Sequence, residues 1–238
     1  MDNKKEVTII TGASKGIGKA IALKLAANKH DVAIFGRDSD KLVELEKTMW
    51  ELGSDVLHFT GDVADEDFVV SSIGQILAKY GRIDHLINNA GVAIFTKFVD
   101  SSLYEFKRQI DTNVFGIYNF SRAVISHMID RKSGSIINIS SLAGKTGFVG
   151  GTMYSSTKHA VMGFTKSLML EVREHNIRVA AVCPGSVSTD MILNTPLEPK
   201  DISKALEPED VADVVTAILK LPARALVSEI EVRPTNVK

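Results

Sequence analysis

The stretch VTIITGASKGIG, residues 7–18, joins an apolar run to a glycine-rich turn and to the start of an amphipathic segment. Residues 7–10 are apolar and rich in β-branched side chains, which is typical of a buried strand. Ile17, Ile21 and Leu25 recur at helical spacing, with lysines between them. A helix is therefore predicted over about residues 17–28, directly after the turn.

The glycines of this turn stand at positions 12, 16 and 18. Glycine permits a tight turn and a close approach of the backbone to a pyrophosphate, and a helix N-terminus favours an anion. A tight turn without any ligand would use the same residues. Because the turn lies in a first strand–helix–strand unit, it indicates a dinucleotide site. The candidate cofactor contacts are Gly12, Ser14, Lys15, Gly16, Ile17 and Gly18.

The same alternation of apolar runs and amphipathic segments continues along the 238 residues. Further strands are predicted at 31–35, 56–63, 83–91, 134–141, 177–185 and 226–234, and further helices at 39–52, 65–81, 101–131, 153–176 and 207–221. Strands that are apolar on both faces and alternate with helices indicate a covered parallel sheet. The prediction is one α/β domain over 1–238, a Rossmann-type doubly wound sheet of about seven mainly parallel strands with helices on both faces.

Composition excludes several classes of protein. Hydrophobic residues make up 45% and charged residues 24%, as in an ordinary globular domain, and the formal net charge is −1. That balance gives no support to a nucleic-acid or anionic-membrane partner. Without an apolar run of membrane-spanning length or a signal peptide, and with the single Cys183, we expect a cytoplasmic protein. The six histidines are scattered without metal-ligand spacing, so no catalytic metal is predicted.

The end of the second predicted strand bears on the choice of dinucleotide. An NAD site usually has an acidic residue there, for the ribose hydroxyls. This chain has Gly36 and then Arg37, while Lys15 lies in the glycine turn, so a 2′-phosphate and hence NADP(H) is favoured. Two alternatives stay open: Lys15 and Arg37 could be solvated surface charges, and Asp38 could face a ribose.

Tyr154 and Lys158 lie four positions apart in a predicted helix, after a glycine-rich stretch that follows Ser140 and Ser141. Side chains at this spacing share one helix face. A nearby ammonium favours the phenolate, so we expect Lys158 to lower the pKa of Tyr154 and make it a usable acid and base. An exposed pair on a helix would have the same spacing.

With TGASKGIG, NNAG at 88–91 and the Tyr154–Lys158 pair, the chain resembles the short-chain dehydrogenase/reductase family, and within it 3-oxoacyl-acyl-carrier-protein reductases and related carbonyl reductases. The resemblance implies an oxidoreductase transferring a hydride between NADP(H) and a carbonyl or secondary alcohol. It assigns Ser141 to the carbonyl oxygen, Tyr154 to proton transfer, Lys158 to the nicotinamide ribose and Asn113 to a proton-relay water. It also implies cofactor contacts for Asp62, Val63, Asn89, Ala90, Gly91, Tyr154, Lys158, Pro184, Gly185, Val187 and Thr189.

Several further expectations concern packing and assembly. The helices after Ser101 and Thr152 are apolar on two sides, which together with the family's habit suggests a homodimer or homotetramer; burial within the monomer is the alternative. The irregular stretch 186–207 is a possible substrate lid, and Trp50 is expected to pack its helix onto the sheet. A non-catalytic NADP(H)-binding sensor or scaffold, and a sugar-nucleotide epimerase or dehydratase, are the alternative functions.

Overall fold

Seven parallel strands form one sheet in the computed structural model, which describes residues 5–193, 195, 198–199 and 201–235. They are β1 (Val7–Thr11), β2 (Asp31–Gly36), β3 (Val56–Thr60), β4 (His85–Asn88), β5 (Gly134–Ile139), β6 (Ile177–Pro184) and β7 (Glu229–Val232). Every pairing between neighbouring strands is parallel. The predicted sheet is confirmed.

Seven α-helices in the described residues cover both faces of this sheet. They are α1 (Gly16–Ala27), α2 (Ser39–Glu51), α3 (Glu66–Tyr80), α4 (Leu103–Ile110), α5 (Gly116–Arg131), α6 (Thr152–Val172) and α7 (Pro208–Lys220). The buried side chains of α1, α2 and α7 form a core on one face, and those of α3, α5 and α6 form a core on the other. Among the described helices, none is both long and apolar enough to cross a membrane.

The strand order β3-β2-β1-β4-β5-β6-β7 determines where a ligand-binding crevice opens at the edge of the sheet. The chain runs outward in one direction from β1 to β3 and in the other direction from β4 to β7. A crevice therefore opens between the carboxyl ends of β1 and β4, where ligands bind in doubly wound sheets. Thr11 ends β1 and Asn88 ends β4 at this point, so the glycine turn faces the NNAG stretch.

The predicted long helix over 101–131 is wrong in detail. Helix α4 begins with a capping box, in which Ser102 and Glu105 bond each other's backbone N–H, and ends at Ile110. A single π turn, Asp111–Phe115, then leads into α5. Insertions of this kind are frequent at functional sites, and Asn113 lies in the middle of this one.

The expected packing of Trp50 in α2 is also corrected. The N-cap of this helix is Asp38, whose carboxylate accepts the backbone N–H of Lys41. The Trp50 side chain is 54% exposed, so it does not pack the helix onto the sheet. Leu42, Leu45 and Met49 are the buried residues of α2. Trp50 directly follows Met49, and one step of about 100° around the helix takes it off that face.

Candidate active site

A cavity of about 690 Å³ opens at the carboxyl edge of the sheet, in the size range of small-molecule sites. All the predicted cofactor and catalytic residues except Gly18 and Asn113 line this cavity. The predicted residues that line it are Gly12, Ser14, Lys15, Gly16, Ile17, Arg37, Asp62, Val63, Asn89, Ala90, Gly91, Ser141, Tyr154, Lys158, Pro184, Gly185, Val187 and Thr189. Their individual roles toward a cofactor stay predictions.

The glycine turn is held against the end of β4 by hydrogen bonds. The Asn89 side-chain amide donates to the carbonyl oxygens of Thr11 and Gly12, at 3.0 and 3.1 Å. The backbone N–H groups of Asn89 and Ala90 both donate to Thr11 Oγ1. Gly12 has φ +66°, and a Cβ at this position would lie 2.8 Å from Ala90 Cα. Glycine is therefore required there by both conformation and space.

The start of α1 can receive an anion. Its N-cap residue, Lys15, makes no side-chain capping bond, and no acidic residue lies in the first turn. The backbone N–H groups of a first helical turn lack intrahelical partners, and Gly16 and Ile17 line the cavity here. We call the glycine turn and the first turn of α1 the cradle. A dinucleotide pyrophosphate fits it, because the backbone N–H groups are not covered by side chains and the helix dipole favours negative charge.

Three cationic side chains line the cavity near the end of β2 and the glycine turn. Arg37 and Lys41 line it beside the end of β2, and Lys15 lines it from the glycine turn. Asp38 is already engaged, since its carboxylate caps α2 and pairs with Lys41 Nζ at 3.2 Å. Lys15 Nζ pairs with Asp190 across the cavity mouth at 2.9 Å. Lys41 was not anticipated, although its place in the first turn of α2 was a usable signal.

Ser141, Tyr154 and Lys158 line the same wall of the cavity. Ser141 follows β5 and accepts the backbone N–H of Ala143, which fixes its hydroxyl oxygen at the start of a short turn. Tyr154 and Lys158 are buried on one face of α6, with Lys158 Nζ 5.7 Å from the centre of the Tyr154 ring. Lys158 Nζ donates to the carbonyl oxygen of Ile139 at 2.9 Å. The pair is therefore not an exposed helical pair.

Burial reverses the expected direction of the tyrosine pKa in this structure. Desolvation raises the pKa of Tyr154 to about 12, and the Ser141 side chain opposes this rise only in part. Desolvation also lowers the pKa of Lys158 to about 8. Because an apolar surrounding penalises both charged forms, the ammonium does not stabilise a phenolate here. In this structure Tyr154 is a neutral phenol, the form that can donate a proton.

The depressed pKa of Lys158 predicts a pH dependence of stability. Burial favours the neutral amine, so between about pH 8 and 10.5 the unfolded chain holds a proton that the folded protein has released. The contribution of Lys158 to the free energy of unfolding should therefore rise across this window and fall as pH drops toward 8. Urea unfolding of the wild type and Lys158→Met would measure it, and a difference between them that is independent of pH would contradict the assignment.

Asn113 is fully buried behind this wall. Its amide donates to the carbonyl oxygen of Val92 and to Thr157 Oγ1, at 2.9 and 3.0 Å. Its side-chain oxygen accepts the backbone N–H of Val92 at 2.8 Å. These bonds tie the π turn to the loop after β4 and to α6. They define a positioning role, while its part in ordering a water stays a prediction.

Gly18 likewise acts through packing. A Cβ at this position would overlap the carbonyl oxygen of Gly12 and lie 2.5 Å from the Asn89 amide nitrogen. The absence of a side chain therefore allows α1 to pack against the turn that its own N-terminus follows. Gly18 shapes the cradle from behind and is buried.

Two phenylalanines line the cavity beside Tyr154. The ring of Phe95 lies 5.8 Å from that of Phe148 and 5.4 Å from that of Tyr154, both edge to face. Phe148 belongs to the glycine-rich stretch before α6 and also lines the cavity. An apolar wall thus lies beside the phenol.

Residues 186–192 of the predicted lid line one side of this cavity. The two ends of the predicted lid meet, since Ser188 N–H donates to the Leu206 carbonyl and Leu206 N–H donates to that of Ser186. Met191 and Ile192 belong to this lining, while residues 194, 196, 197 and 200 of the predicted lid lie outside the described residues. Closure over a substrate stays a prediction.

Comparison with known proteins gives a consistent family pattern. The short chain dehydrogenase family model matches residues 6–199. A 3-oxoacyl-acyl-carrier-protein reductase of Synechocystis sp. is 36% identical over 228 residues, covering 94% of this chain and 92% of the relative. A solved metagenomic short-chain oxidoreductase in complex with NADP is 34% identical, with a TM-score of 0.85 and 97% of both chains covered. An alcohol dehydrogenase from Thermococcus sibiricus, complexed with 5-hydroxy-NADP, is 29% identical with a TM-score of 0.90, covering 98% of this chain and 97% of that one.

Proposed function

Since this chain belongs to the short-chain dehydrogenase family, we propose that it is an NADP(H)-dependent reductase of ketones. The observation that carries the proposal is the shared wall of Ser141, Tyr154 and Lys158, at one end of a cavity whose other end is a glycine cradle with three cations. The phosphate-binding half and the proton-donating half of the site thus face the same space.

The cofactor would be held by the cradle of Gly12, Gly16 and Ile17 at its pyrophosphate and by Lys15, Arg37 and Lys41 at its 2′-phosphate. When bound, the reduced nicotinamide supplies a hydride to the carbonyl carbon. The NADP named in the complex of the metagenomic relative supports this choice of cofactor. The cations and the engaged Asp38 support it independently.

The reaction that these side chains support is protonation of a carbonyl oxygen. Tyr154 holds a phenolic proton at neutral pH, because burial keeps its pKa high. The Ser141 hydroxyl can donate a hydrogen bond to the same oxygen as negative charge develops there. A carbonyl that gains hydride at carbon and a proton at oxygen becomes a secondary alcohol. Lys158, buried beside the ring, would hold the nicotinamide ribose.

The 2′-phosphate assignment predicts a change in cofactor preference. Arg37→Ala or Lys41→Ala should weaken NADPH binding about tenfold to a hundredfold, because each removes a charge-assisted contact. NADH binding should change little. Lys47→Ala is the matched control, since Lys47 lies on the same helix but outside the cavity lining. Fluorescence titration with both cofactors gives the answer, and equal losses for NADPH and NADH would contradict it.

The substrate we propose is a ketone with an apolar or aromatic side. Phe95, Phe148, Met191 and Ile192 line the cavity beside Tyr154, and such surfaces favour apolar groups. A 3-oxoacyl thioester meets this description, and the name of the Synechocystis relative supports that member of the class.

Spectrophotometry at 340 nm, with NADPH and a panel of carbonyls, tests the function. The panel would contain acetoacetyl thioesters, diketones, quinones, aromatic ketones and keto sugars. Turnover of apolar ketones in preference to keto sugars is the expected result. NADPH binding without turnover of any carbonyl, and without oxidation of secondary alcohols by NADP, would overturn the reductase and favour a sensor or scaffold.

Assembly as a homodimer or homotetramer is also proposed, with a reducing cytoplasm as its location. Phe115, Tyr118 and Leu170 are 52%, 48% and 57% exposed on the side of the sheet that carries α5 and α6. Such apolar exposure is typical of a subunit contact.

The assembly has a simple test by sedimentation. Tyr118→Glu should shift the protein from the dimer or tetramer toward a smaller species, because a desolvated carboxylate in an apolar contact is unfavourable. Val70→Glu is the control, since Val70 is at least as exposed as Tyr118, at 57% against 48%, but lies on α3 and not on α5 or α6. A wild type that sediments as a monomer would contradict the proposal.

A further inference from the structure

Two histidines and a glutamate meet at the edge of the sheet opposite the active-site cavity. Glu6 immediately precedes β1, His30 immediately precedes β2, and His85 is the first residue of β4. They are far apart in sequence, but β1 lies between β2 and β4 in the sheet. The amino ends of three adjacent parallel strands therefore bring the three side chains together.

Their geometry matches the coordination shell of a transition metal ion. The Glu6 carboxylate oxygen lies 3.5 Å from His30 Nε2 and 3.4 Å from His85 Nε2. One ligand atom from each residue lies within 4.8 Å of the others. In a tetrahedral zinc site with metal–ligand distances of about 2.0–2.1 Å, the ligand atoms are about 3.3 Å apart.

His85 provides a second, independent observation. Its side chain is 5% exposed. Among the described residues neither ring nitrogen has a hydrogen-bond partner of good geometry, and Nε2 lies 3.4 Å from the Glu6 carboxylate oxygen, with which it forms an ion pair when the ring is protonated. A buried polar group without a partner is costly, so such a group calls for a ligand. Coordination through Nε2, which faces the Glu6 carboxylate, would supply one.

His30 and Glu6 are also placed so that each could bind a metal ion. His30 Nδ1 lies 3.0 Å from Thr8 Oγ1, the kind of outer contact that orients a metal-binding imidazole and leaves its Nε2 free for an ion. The Glu6 side chain is 55% exposed, which gives an ion access from solvent.

The neighbouring charges leave this carboxylate available. The Arg82 guanidinium makes two hydrogen bonds to Asp84, at 2.7 and 2.6 Å, and Arg131 also contacts Asp84. Lys220 Nζ donates to Asn28 Oδ1 at 3.1 Å. The Arg178 guanidinium donates to the carbonyl oxygens of Ile218, Leu219 and Leu221. Each of these neighbouring cations thus has oxygen partners of its own.

We infer that Glu6, His30 and His85 form a three-ligand site for a divalent transition metal ion of the zinc class, separate from the active site. Two imidazoles and one carboxylate are a donor set that suits zinc, cobalt or nickel better than magnesium or calcium. An ion there would join the starts of three central strands, so its role is structural and it takes no part in hydride transfer.

Isothermal titration of metal-free protein with Zn²⁺ tests the site, with cobalt absorption in the visible range as a second readout. One ion per chain is expected. Thr8→Val, which removes only the outer contact, should weaken binding about 10–100-fold, and Glu6→Gln or His85→Gln should weaken it more. His58→Gln is the matched control, because His58 pairs with Glu46 at 2.8 Å but has no second imidazole beside it.

Thermal unfolding gives an independent measure, since an ion bound only by the folded state raises the midpoint. Zn²⁺ should raise the midpoint for the wild type and His58→Gln, and not for Glu6→Gln. Glu6 is exposed enough for that variant to fold, so the test stands even if a histidine variant does not. Absence of saturable Zn²⁺ binding to the wild type, or binding equally strong in Glu6→Gln, would overturn the inference.

Discussion

Replacing Tyr154 with phenylalanine should lower kcat for ketone reduction by about a thousandfold, within the range typical for loss of a general acid. The variant removes one hydroxyl from a side chain that is 7% exposed and leaves the ring in contact with Phe95. NADPH binding should be retained, because the cradle and the cations lie at the other end of the cavity. Stopped-flow or steady-state rates, combined with fluorescence titration of NADPH, separate the two effects.

Tyr80→Phe is the matched control for this experiment. The Tyr80 hydroxyl is buried at the end of α3 and has no hydrogen-bond partner among the described residues. Its removal should leave activity unchanged and stability equal or slightly higher, because no bond is lost. If Tyr154→Phe kept activity within threefold of the wild type, the phenol would not be the proton donor and the mechanism would be wrong.

The second large effect is expected at Gly18. A methyl group there would overlap the Gly12 carbonyl oxygen and press on the Asn89 amide, two groups that fix the cradle. Gly18→Ala should therefore destabilise the protein by about 1–3 kcal/mol, as overpacking does. It should also weaken NADPH binding, because the turn must move to relieve the overlap. Urea unfolding and NADPH titration measure the two consequences.

Gly74→Ala provides the opposite result with the same chemical change. Gly74 lies on an exposed part of α3, and a Cβ there would meet nothing within 4 Å. The substitution should stabilise the protein by about 0.5–1 kcal/mol, since alanine loses less backbone entropy in a helix. A Gly18→Ala variant as stable as Gly74→Ala, with intact NADPH binding, would show that the cradle does not need this glycine.

Local patterns were sufficient for the fold and for much of the site. The apolar runs and the helical spacing of Ile17, Ile21 and Leu25 depend on neighbours along the chain, so they predicted the sheet and its helices correctly. The spacing of Tyr154 and Lys158 placed both on one face of α6 for the same reason. The order of the strands then brought the glycine turn, Ser141 and the Tyr154–Lys158 pair to one cavity.

Other features needed the tertiary structure, because they depend on burial and on contacts between distant segments. The neutral state of the Tyr154 phenol is set by the apolar space around it, which outweighs the nearby lysine in the balance of pKa effects. Trp50 is exposed although its helix is amphipathic, since exposure depends on which face meets the sheet. Glu6, His30 and His85 show no metal-ligand spacing, yet the parallel register of β1, β2 and β4 puts their side chains together. The local sequence determines the periodic patterns that form strands and helices, because these patterns depend on neighbours along the chain. Strand order and burial decide which distant side chains lie in the same environment, and these depend on the whole tertiary structure.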